Sequence, residues 1–224
     1  MDQIEQKRAA ARAALDELPN EGVIGLGSGS TIQIFLDEVA TLVRNGRRFV
    51  GVATSDATRA RATELGIPLL DDAGPWDIAV CVDGADEVDE DLDLIKGGGG
   101  AHTREKIVNL SSARNVIVVD ESKLSRRLGE KWPVPVEVCA FGHRATAQKL
   151  ETFGRPVLRE KGGAIVRTDG GNPIYDLHAG PIEAPAELER AIHAIAGVVE
   201  VGLFVDRADL VIVAGSNGVR RLGG

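Results

Sequence analysis

At 224 residues, with 43% apolar and 27% charged residues, the chain has the composition of a globular protein with a large core. Aromatic residues make up 4% and the net charge is −8 at pH 7, which argues against a stacking platform for single-stranded nucleic acid and against general polyanion binding. A small phosphorylated ligand is not excluded, because it needs only a local cluster of hydrogen-bond donors.

The first 120 residues alternate between patterns typical of helices and of buried strands. The predicted elements are a helix at 3–18, a strand at 23–26, a helix at 31–44, a strand at 48–53, a helix after the N-cap Ser55, a strand at 76–82, a helix at 103–112 and a strand at 115–120. Short apolar runs that alternate with helices predict βαβ units and therefore an α/β, Rossmann-like, mainly parallel sheet.

The pattern changes near residue 129. The following elements are a strand at 134–138, a helix at 141–153, strands at 156–159 and 164–168, a helix at 185–195 and a strand at 198–204. This β-α-β-β-α-β order is ferredoxin-like, and residues 173–177 either add a strand or lengthen the preceding hairpin. The apolar run 209–214 suits the first sheet. We therefore expect a smaller α+β domain at 129–205, inserted into a catalytic domain of 1–128 plus 206–224.

The cysteines Cys81 and Cys139 are too few for a disulfide framework and lack the spacing of metal ligands. The four histidines are scattered, so no metal site is expected. The sequence has no signal-peptide core and no apolar run of transmembrane length, which favours the cytoplasm and no membrane partner.

A glycine-rich turn at 25–31 joins the first strand to its helix. Backbone amides at a helix N-terminus, together with the hydroxyls of Ser28, Ser30 and Thr31, suit a phosphate group. The third glycine falls one residue too early for a dinucleotide fingerprint, and no lysine precedes Ser30 as in a P-loop. The alternative is a tight turn in which Ser30 is only the helix N-cap.

Two carboxylates follow the strand at 76–82. Asp83 stands at its carboxyl end, where ligands bind in open α/β sheets, and Asp86 comes three residues later. They either converge on a ligand or only accept hydrogen bonds from backbone amides of their turn. The acidic residues that follow are expected to form a solvated surface: Glu87, Asp89, Glu90, Asp91 and Asp93.

Lys96 precedes the four glycines 97–100, and together they suit an oxyanion, because an ammonium group and glycine amides can face the same oxygen atoms. Lys96 is alternatively an ion-pair partner of Asp83 or Asp86. Glu105, in the first turn of the next helix, is either a general base or an acid that complements the helix dipole. His102 is either a donor at the rim or an exposed or structural residue.

Five motifs in this order resemble ribose-5-phosphate isomerase of type A: Gly27-Ser28-Gly29-Ser30-Thr31, Asp83-Gly84-Ala85-Asp86-Glu87, Lys96-Gly97-Gly98-Gly99, Thr103-Arg104-Glu105-Lys106 and Asp120-Glu121-Ser122-Lys123. Segments 135–138 and 197–204 extend the resemblance over nearly the whole chain. The chain departs from the family's pattern at Gly100, where alanine is common, and at His102, where an aliphatic residue is usual.

The resemblance implies an aldose–ketose isomerase that interconverts D-ribose 5-phosphate and D-ribulose 5-phosphate through an enediol(ate), in the non-oxidative pentose phosphate pathway. It implies no metal or organic cofactor and a homodimer or homotetramer. By resemblance, Glu105 is the base, Asp83 assists ring opening and proton movement among the oxygens, and Lys96 stabilises negative charge. The implied substrate-binding residues are Ser28, Gly29, Ser30, Thr31, Asp83, Gly84, Ala85, Asp86, Lys96, Gly97, Gly98, Gly99, Lys123 and Lys7.

A different class of function, a sugar-phosphate sensor in a transcriptional regulator, would need a DNA-binding module. The 22 residues before the first strand are too few for a helix-turn-helix. A sensor would also have no need of Glu105 as a base.

Overall fold

The computed structural model describes all 224 residues. The helices are α1 (Gln3–Ala13), α2 (Ser30–Arg44), α3 (Asp56–Glu64), α4 (His102–Leu110), α5 (His143–Leu150) and α6 (Pro185–His193), with short 3₁₀ helices at Ala14–Glu17 and Glu121–Lys123. The strands are β1 (Glu21–Leu26), β2 (Arg48–Ala53), β3 (Ile78–Asp83), β4 (Glu87–Val88), β5 (Leu94–Ile95), β6 (Asn115–Asp120), β7 (Val134–Val138), β8 (Arg155–Leu158), β9 (Glu160–Lys161), β10 (Ala164–Ile165), β11 (Ile174–His178), β12 (Val198–Val201), β13 (Leu203–Phe204), β14 (Leu210–Gly215) and β15 (Gly218–Gly223).

The chain forms two compact units. The first unit comprises residues 1–85, 104–123 and 207–224, and the second comprises 86–103 and 124–206. The chain passes from one unit to the other between Ala85 and Asp86 and again between Thr103 and Arg104. The boundaries expected from the sequence, at 128/129 and 205/206, describe one folding domain inserted into another. This is a different kind of division from the two compact units, and it stays a prediction.

The first unit contains a six-stranded sheet in the order β15-β14-β6-β3-β1-β2. All neighbours are parallel except β15, which pairs antiparallel with β14 at one edge. At the other edge, Gly51 of β2 also bonds the segment 68–70. The predicted Rossmann-like sheet is confirmed, including the placement of 209–214 in it, whereas β15 was not predicted.

Helices α1 and α2 cover one face of this sheet. The buried residues of α2, Ile32, Phe35, Leu36, Val39 and Ala40, recur at helical spacing and therefore form one apolar stripe. They pack in one cluster with alternate residues of β1, β3 and β6. A capping box at Asp2 and Glu5 satisfies amides at the start of α1. These contacts hold the segment before β1 on the sheet.

The second unit contains a four-stranded antiparallel sheet in the order β12-β7-β11-β8, with α5 and α6 packed against it in one core. This is the predicted ferredoxin-like arrangement, but its third strand is β11. The prediction of a third strand at 164–168 is wrong. Residues 164–165 form only a small exposed hairpin with 160–161. A separate three-stranded sheet has the order β13-β5-β4.

The observed helices are shorter than predicted where the amphipathic pattern runs into a turn. The predicted helix 141–153 extends over 143–150, and the predicted helix 3–18 gives way to a 3₁₀ turn after Ala13. None of the helices combines the length and the apolar character needed to cross a bilayer.

Candidate active site

Three predicted site segments meet the carboxyl edge of the first unit's sheet. The strands β1, β3 and β6 are parallel neighbours, so their carboxyl ends lie side by side. The glycine-rich turn follows β1, Asp83 is the last residue of β3, and Lys123 lies in the 3₁₀ helix after β6. Sequence-distant residues are therefore assembled at one edge by the topology.

Asp83 is held by backbone amides. Its Oδ1 atom accepts hydrogen bonds from the N–H groups of Ser28 (2.9 Å) and Gly84 (2.7 Å), and the residue is only 4% exposed. A Cβ atom at position 27 would lie 2.1 Å from the same oxygen, so only Gly27 fits here. Asp83 therefore does accept hydrogen bonds from backbone amides, both at Oδ1, while its role toward a ligand stays a prediction.

The turn after β1 is not the tight turn capped by Ser30 that the alternative interpretation predicts. The N-cap of α2 is Gly29, with φ +96°, and Ser30 is the first helical residue, so the assignment of Ser30 as N-cap is wrong. The Ser30 hydroxyl instead accepts a hydrogen bond from Lys7 Nζ at 3.0 Å. Helix amides, a hydroxyl and an ammonium group thus lie together on an exposed surface, a combination that suits a phosphate.

Ser28 is fixed by a cluster of hydroxyl groups. Its Oγ atom lies 2.8 Å from Thr54 Oγ1 and donates to Ser55 Oγ at 2.9 Å. Thr58 Oγ1 donates to the carbonyl of Gly27 at 2.8 Å, and Ser55 caps α3 as predicted. Residues after β2 therefore hold the turn after β1, a contribution that the sequence pattern did not reveal.

Glu105 lies in the first turn of α4 and is 6% exposed. Its neighbour Arg104 pairs with Asp56 Oδ1, in the first turn of α3, at 2.7 Å. A carboxylate with so little access to water is unusual for a helix surface, where an acid that only complements the dipole would be solvated. Both Asp83 and Glu105 belong to the first unit.

The glycine run belongs to the second unit. Gly98 donates its N–H to Asp86 Oδ2 at 2.7 Å, and Gly100 donates to the carbonyl of Gly97 at 2.9 Å, which closes a tight turn. Gly97 has φ +108° and Gly100 has φ +81°, conformations that L-residues rarely adopt. A Cβ atom on Gly98 would lie 2.7 Å from Asp86 Oδ1, so any side chain there would displace this carboxylate.

Lys96 is 3% exposed, and its Nζ atom lies 5.5 Å from the centroid of the Phe204 ring. This cation–π contact fixes the ammonium group in a buried position. The backbone N–H of Lys96 donates to the carbonyl of Gly202 at 2.9 Å. The alternative role of Lys96 as an ion-pair partner of Asp83 or Asp86 stays a prediction.

His102 is fully buried, and its Nε2 atom lies 3.4 Å from the carbonyl oxygen of Glu200. A Cβ atom on Gly97 would come within 2.7 Å of its ring. The structural interpretation of His102 is therefore correct, and the interpretation as a donor at the rim is wrong.

The prediction of a solvated acidic surface after Asp86 is wrong for two residues. Glu87 is fully buried, and its carboxylate accepts hydrogen bonds from the amides of Gly129, Lys131 and Trp132 at 2.9–3.2 Å. Asp93 is 7% exposed and accepts from the amide of Asp206. Carboxylates with such partners organise loops rather than face solvent.

Burial also raises the pKa of two carboxyl groups in this segment, those of Asp89 and Asp93. It raises the pKa of Asp89 to about 6, although hydrogen bonds from the amides of Asp93 and Asp91 act in the opposite direction. Burial likewise raises the pKa of Asp93, and the negative charges of Asp206, Asp91 and Glu189 add to this effect.

One group of side chains has the composition of a metal site. Glu189, His193 and Glu200 each offer one ligand atom, and these atoms lie within 4.8 Å of one another. The imidazole of His193 and the carboxylate of Glu200 are in contact at 2.7 Å, so a hydrogen bond accounts for the closeness of these two residues. His193 thus lies close to two acidic residues, which the scattered positions of the histidines in the sequence did not indicate.

Sequence reasoning missed Arg159. Its Nη1 atom donates to the carbonyl oxygens of Gly97 (2.7 Å) and Gly98 (3.2 Å), and its guanidinium group pairs with Asp176. A lone arginine about sixty residues from the glycine run gives no local signal, because only the fold brings the two segments together.

Comparison with known proteins identifies the family. The profile described as "Ribose 5-phosphate isomerase A (phosphoriboisomerase A)" matches residues 50–218. The chain belongs to this family. A ribose-5-phosphate isomerase A of Gloeobacter violaceus is 48% identical over 218 residues, which cover 96% of this chain and 95% of the relative. That of Thermomicrobium roseum is 45% identical over 219 residues, covering 96% and 92%.

Solved structures of the family agree. A D-ribose-5-phosphate isomerase in complex with phospho-erythronic acid has a TM-score of 0.95 and 38% identity, with complete coverage of both chains. The ribose 5-phosphate isomerase A of Methanocaldococcus jannaschii gives 0.94 and 38%, again with complete coverage. The family predicted from the five motifs is therefore confirmed, and so is the fold class.

Proposed function

We propose that the protein catalyses the reversible interconversion of D-ribose 5-phosphate and D-ribulose 5-phosphate, a step of the non-oxidative pentose phosphate pathway. The observation that carries this proposal is the buried carboxylate of Glu105 on α4, in a member of the ribose 5-phosphate isomerase A family. An isomerase needs such a base, whereas a sugar-phosphate sensor does not.

The reaction moves two hydrogen atoms. Glu105 removes the proton from C2 of the open-chain aldose, the C–H electrons form a C1=C2 double bond, and O1 takes the negative charge. A proton passes from O2 to O1, assisted by Asp83, which also assists ring opening. The protonated Glu105 then returns its proton to C1, and C2 becomes the carbonyl carbon of the ketose. Atoms and electrons therefore balance without a redox partner.

The other proposed site residues near the reacting carbons bind the sugar and stabilise the intermediate. Lys96 and the amides of Gly97 and Gly99 stabilise the negative charge of the enediolate, and Asp86 holds sugar hydroxyls together with Gly84 and Ala85. In the present structure the amide of Gly98 donates to Asp86, so this glycine contributes by fixing Asp86.

The phosphate binds at the turn after β1. Its donors are the amides and hydroxyls at Ser28, Gly29, Ser30 and Thr31, with the ammonium groups of Lys7 and Lys123 (residues of the first unit). The contact between Lys7 and Ser30 supports this assignment, because it places a positive charge at the N-terminus of α2. Binding of this remote group positions the reacting carbons.

A coupled assay tests the activity directly. Ribose 5-phosphate is supplied to the purified protein with EDTA present, and ribulose 5-phosphate formation is followed by a coupling enzyme that has been shown to tolerate EDTA. We expect full turnover, since the proposed chemistry uses no metal or organic cofactor. No product at any enzyme concentration would refute the function, and activity only without EDTA would refute metal independence.

Hydrogen exchange tests the enediolate. During turnover in D₂O we expect deuterium to enter the sugar at the transferred position, because Glu105 exchanges its proton with solvent while the intermediate exists. Mass spectrometry of the product measures this incorporation. Complete retention of the substrate hydrogen would instead favour hydride transfer from C2 to C1 over an enediolate.

We also propose that the protein acts in the cytoplasm as a homodimer or homotetramer, on a small pentose phosphate and without nucleic acid or membrane. The family resemblance supports the assembly. Light scattering coupled to size-exclusion chromatography distinguishes a dimer from a tetramer, and a monomeric mass at assay concentrations would contradict both.

A further inference from the structure

Four consecutive glycines form the most flexible backbone that a chain can offer, so the active conformation of the run 97–100 needs external restraints. Arg159 supplies one from the carbonyl side. Its Nη1 atom lies between two successive carbonyl oxygens, at 2.7 Å from Gly97 O and 3.2 Å from Gly98 O. All three residues belong to the second unit.

These two carbonyls belong to two successive peptide planes. In a trans peptide the C=O and N–H bonds point in opposite directions, so a cation at the carbonyl also orients the amide of the next residue. In the first plane, Arg159 contacts Gly97 O and Asp86 accepts from Gly98 N–H at 2.7 Å. The peptide thus links a guanidinium group to a carboxylate, and each hydrogen bond polarises the other. In the second plane, Arg159 sets the direction of the Gly99 amide.

Arg159 is itself held by the second unit's sheet. Its Nε atom donates to Asp176 Oδ2 at 2.9 Å and its Nη2 atom to Oδ1, a two-point contact between side chains that are 14% and 20% exposed. Asp176 lies on the central strand β11, paired on both sides. The fork of one guanidinium group therefore connects a rigid strand to the glycine run, which a lysine could not do with the same geometry.

We propose that Arg159, held by Asp176, is a positioning residue for the isomerisation. It orients the peptide planes 97–98 and 98–99, and through them the carboxylate of Asp86 and the amide of Gly99 that serve the enediolate. This inference rests on the proposed function. It assigns Arg159 no contact with the substrate.

The test uses Arg159→Met, which keeps an unbranched apolar stem and removes the guanidinium group, and Asp176→Asn as a milder second variant. Three quantities are measured: kcat for ribose 5-phosphate, inhibition by phospho-erythronic acid and inhibition by inorganic phosphate. The carboxylate of phospho-erythronic acid resembles the enediolate oxygens, whereas inorganic phosphate occupies only the phosphate site. We expect Arg159→Met to lower kcat about 10–100-fold and to weaken phospho-erythronic acid inhibition similarly, with phosphate inhibition nearly unchanged.

Arg167→Met is the matched control, because Arg167 also donates to a glycine carbonyl, that of Gly171 at 2.8 Å, but on an exposed turn. It should leave all three quantities unchanged. Arg159→Lys should recover part of the lost kcat, since one donor can still reach a carbonyl. Equal weakening of both inhibitors, or unchanged kcat in Arg159→Met, would overturn the proposal. If Arg159→Met does not fold, Asp176→Asn decides by the same measures.

Amide hydrogen exchange separates this inference from the proposed function. Peptides covering residues 96–101 should exchange faster in Arg159→Met than in the wild-type protein, and not in Arg167→Met. A wild-type protein that does not isomerise ribose 5-phosphate would refute the function, while faster exchange would still support the restraint. Unchanged exchange in an active enzyme would refute the restraint alone.

Discussion

At the scale of single residues, Asp83 and Glu105, the two proposed catalytic carboxylates of the first unit, have different environments. Asp83 has one oxygen atom held at a constant position by hydrogen bonds from two backbone amides. Glu105 is buried in a first helical turn. A group that moves a proton between two carbons benefits from such exclusion of water, whereas a group that orients oxygens benefits from rigid anchoring.

Replacement of the base tests its role. Glu105→Gln should retain the fold and the affinity for inorganic phosphate but lower kcat about 10²–10⁴-fold, because the amide has nearly the same shape and cannot accept the C2 proton. Steady-state kinetics and circular dichroism measure the two properties. A kcat near the wild-type value would remove Glu105 from the mechanism.

Lys123 is expected to bind rather than to react. Lys123→Ala should raise KM for ribose 5-phosphate about tenfold with a smaller change in kcat, since a charge-assisted hydrogen bond contributes about 1.5–3 kcal/mol. Lys149→Ala, an exposed lysine on α5, is the control. If the two variants have the same KM, Lys123 does not contact the phosphate.

At the scale of secondary structure elements, the junction of β1 with α2 depends on close approach to β3. Gly27→Ala would force a methyl group against the Asp83 carboxylate and its backbone, at 2.1–2.6 Å. We expect a loss of about 1–3 kcal/mol in the free energy of unfolding and a larger relative loss of kcat, because Asp83 must move.

Urea denaturation and kinetics measure these effects together. Gly170→Ala is the matched control, since a Cβ atom there meets its nearest neighbour at an ordinary 3.4 Å. Unchanged kcat in Gly27→Ala would show that the position of Asp83 is not critical.

The elements also show how far the sequence alone reaches. Strands β2, β6 and β7 have the predicted limits because each is a compact apolar run bounded by turn residues. The apolar run at 164–166 resembles a strand equally well, yet β11 occupies the third position of the small sheet. Local pattern does not determine which of two short runs finds partners on both sides, since pairing is a property of the whole sheet.

The candidate site, like the secondary structure, could be predicted only in part from the sequence. Motif chemistry predicted Asp83, Lys96, the glycine run and Glu105 as site residues, and the topology places the first unit's segments at one sheet edge. The sequence motifs did not reveal that amides of residues 129–132 would bind the buried Glu87, or that Arg159 would reach Gly97. Both contacts join segments more than forty residues apart, so no spacing rule could find them.

At the scale of the whole molecule, the raised pKa of Asp89 links stability to pH. In the folded protein this pKa lies near 6 rather than at its ordinary value of 3.8. Above about pH 6 the folded state must keep the half-buried carboxylate charged, a cost absent from the unfolded chain. Below about pH 4 both states are protonated and the cost disappears. Asp89 therefore lowers stability as the pH rises from about 4 to 6.

Asp89→Asn should remove this fall, because the amide oxygen can still accept from the backbone amides of Asp91 and Asp93. Urea midpoints of both proteins at a series of pH values measure the effect. The advantage of the variant should grow from about pH 4 to 6 and then remain constant. A constant difference over the whole range would contradict the assignment.

The antiparallel strand β15 has a consequence for how this protein behaves in a crowded solution. It covers β14, a strand of six buried residues, and itself carries Arg220 and Arg221 in largely exposed positions. At the opposite edge, the segment 68–70 bonds Gly51 of β2. Exposed sheet edges recruit strands from other chains, and charged or covered edges do not. A chain shortened before Gly218 should therefore aggregate on heating, which light scattering would detect, while the full chain stays dispersed.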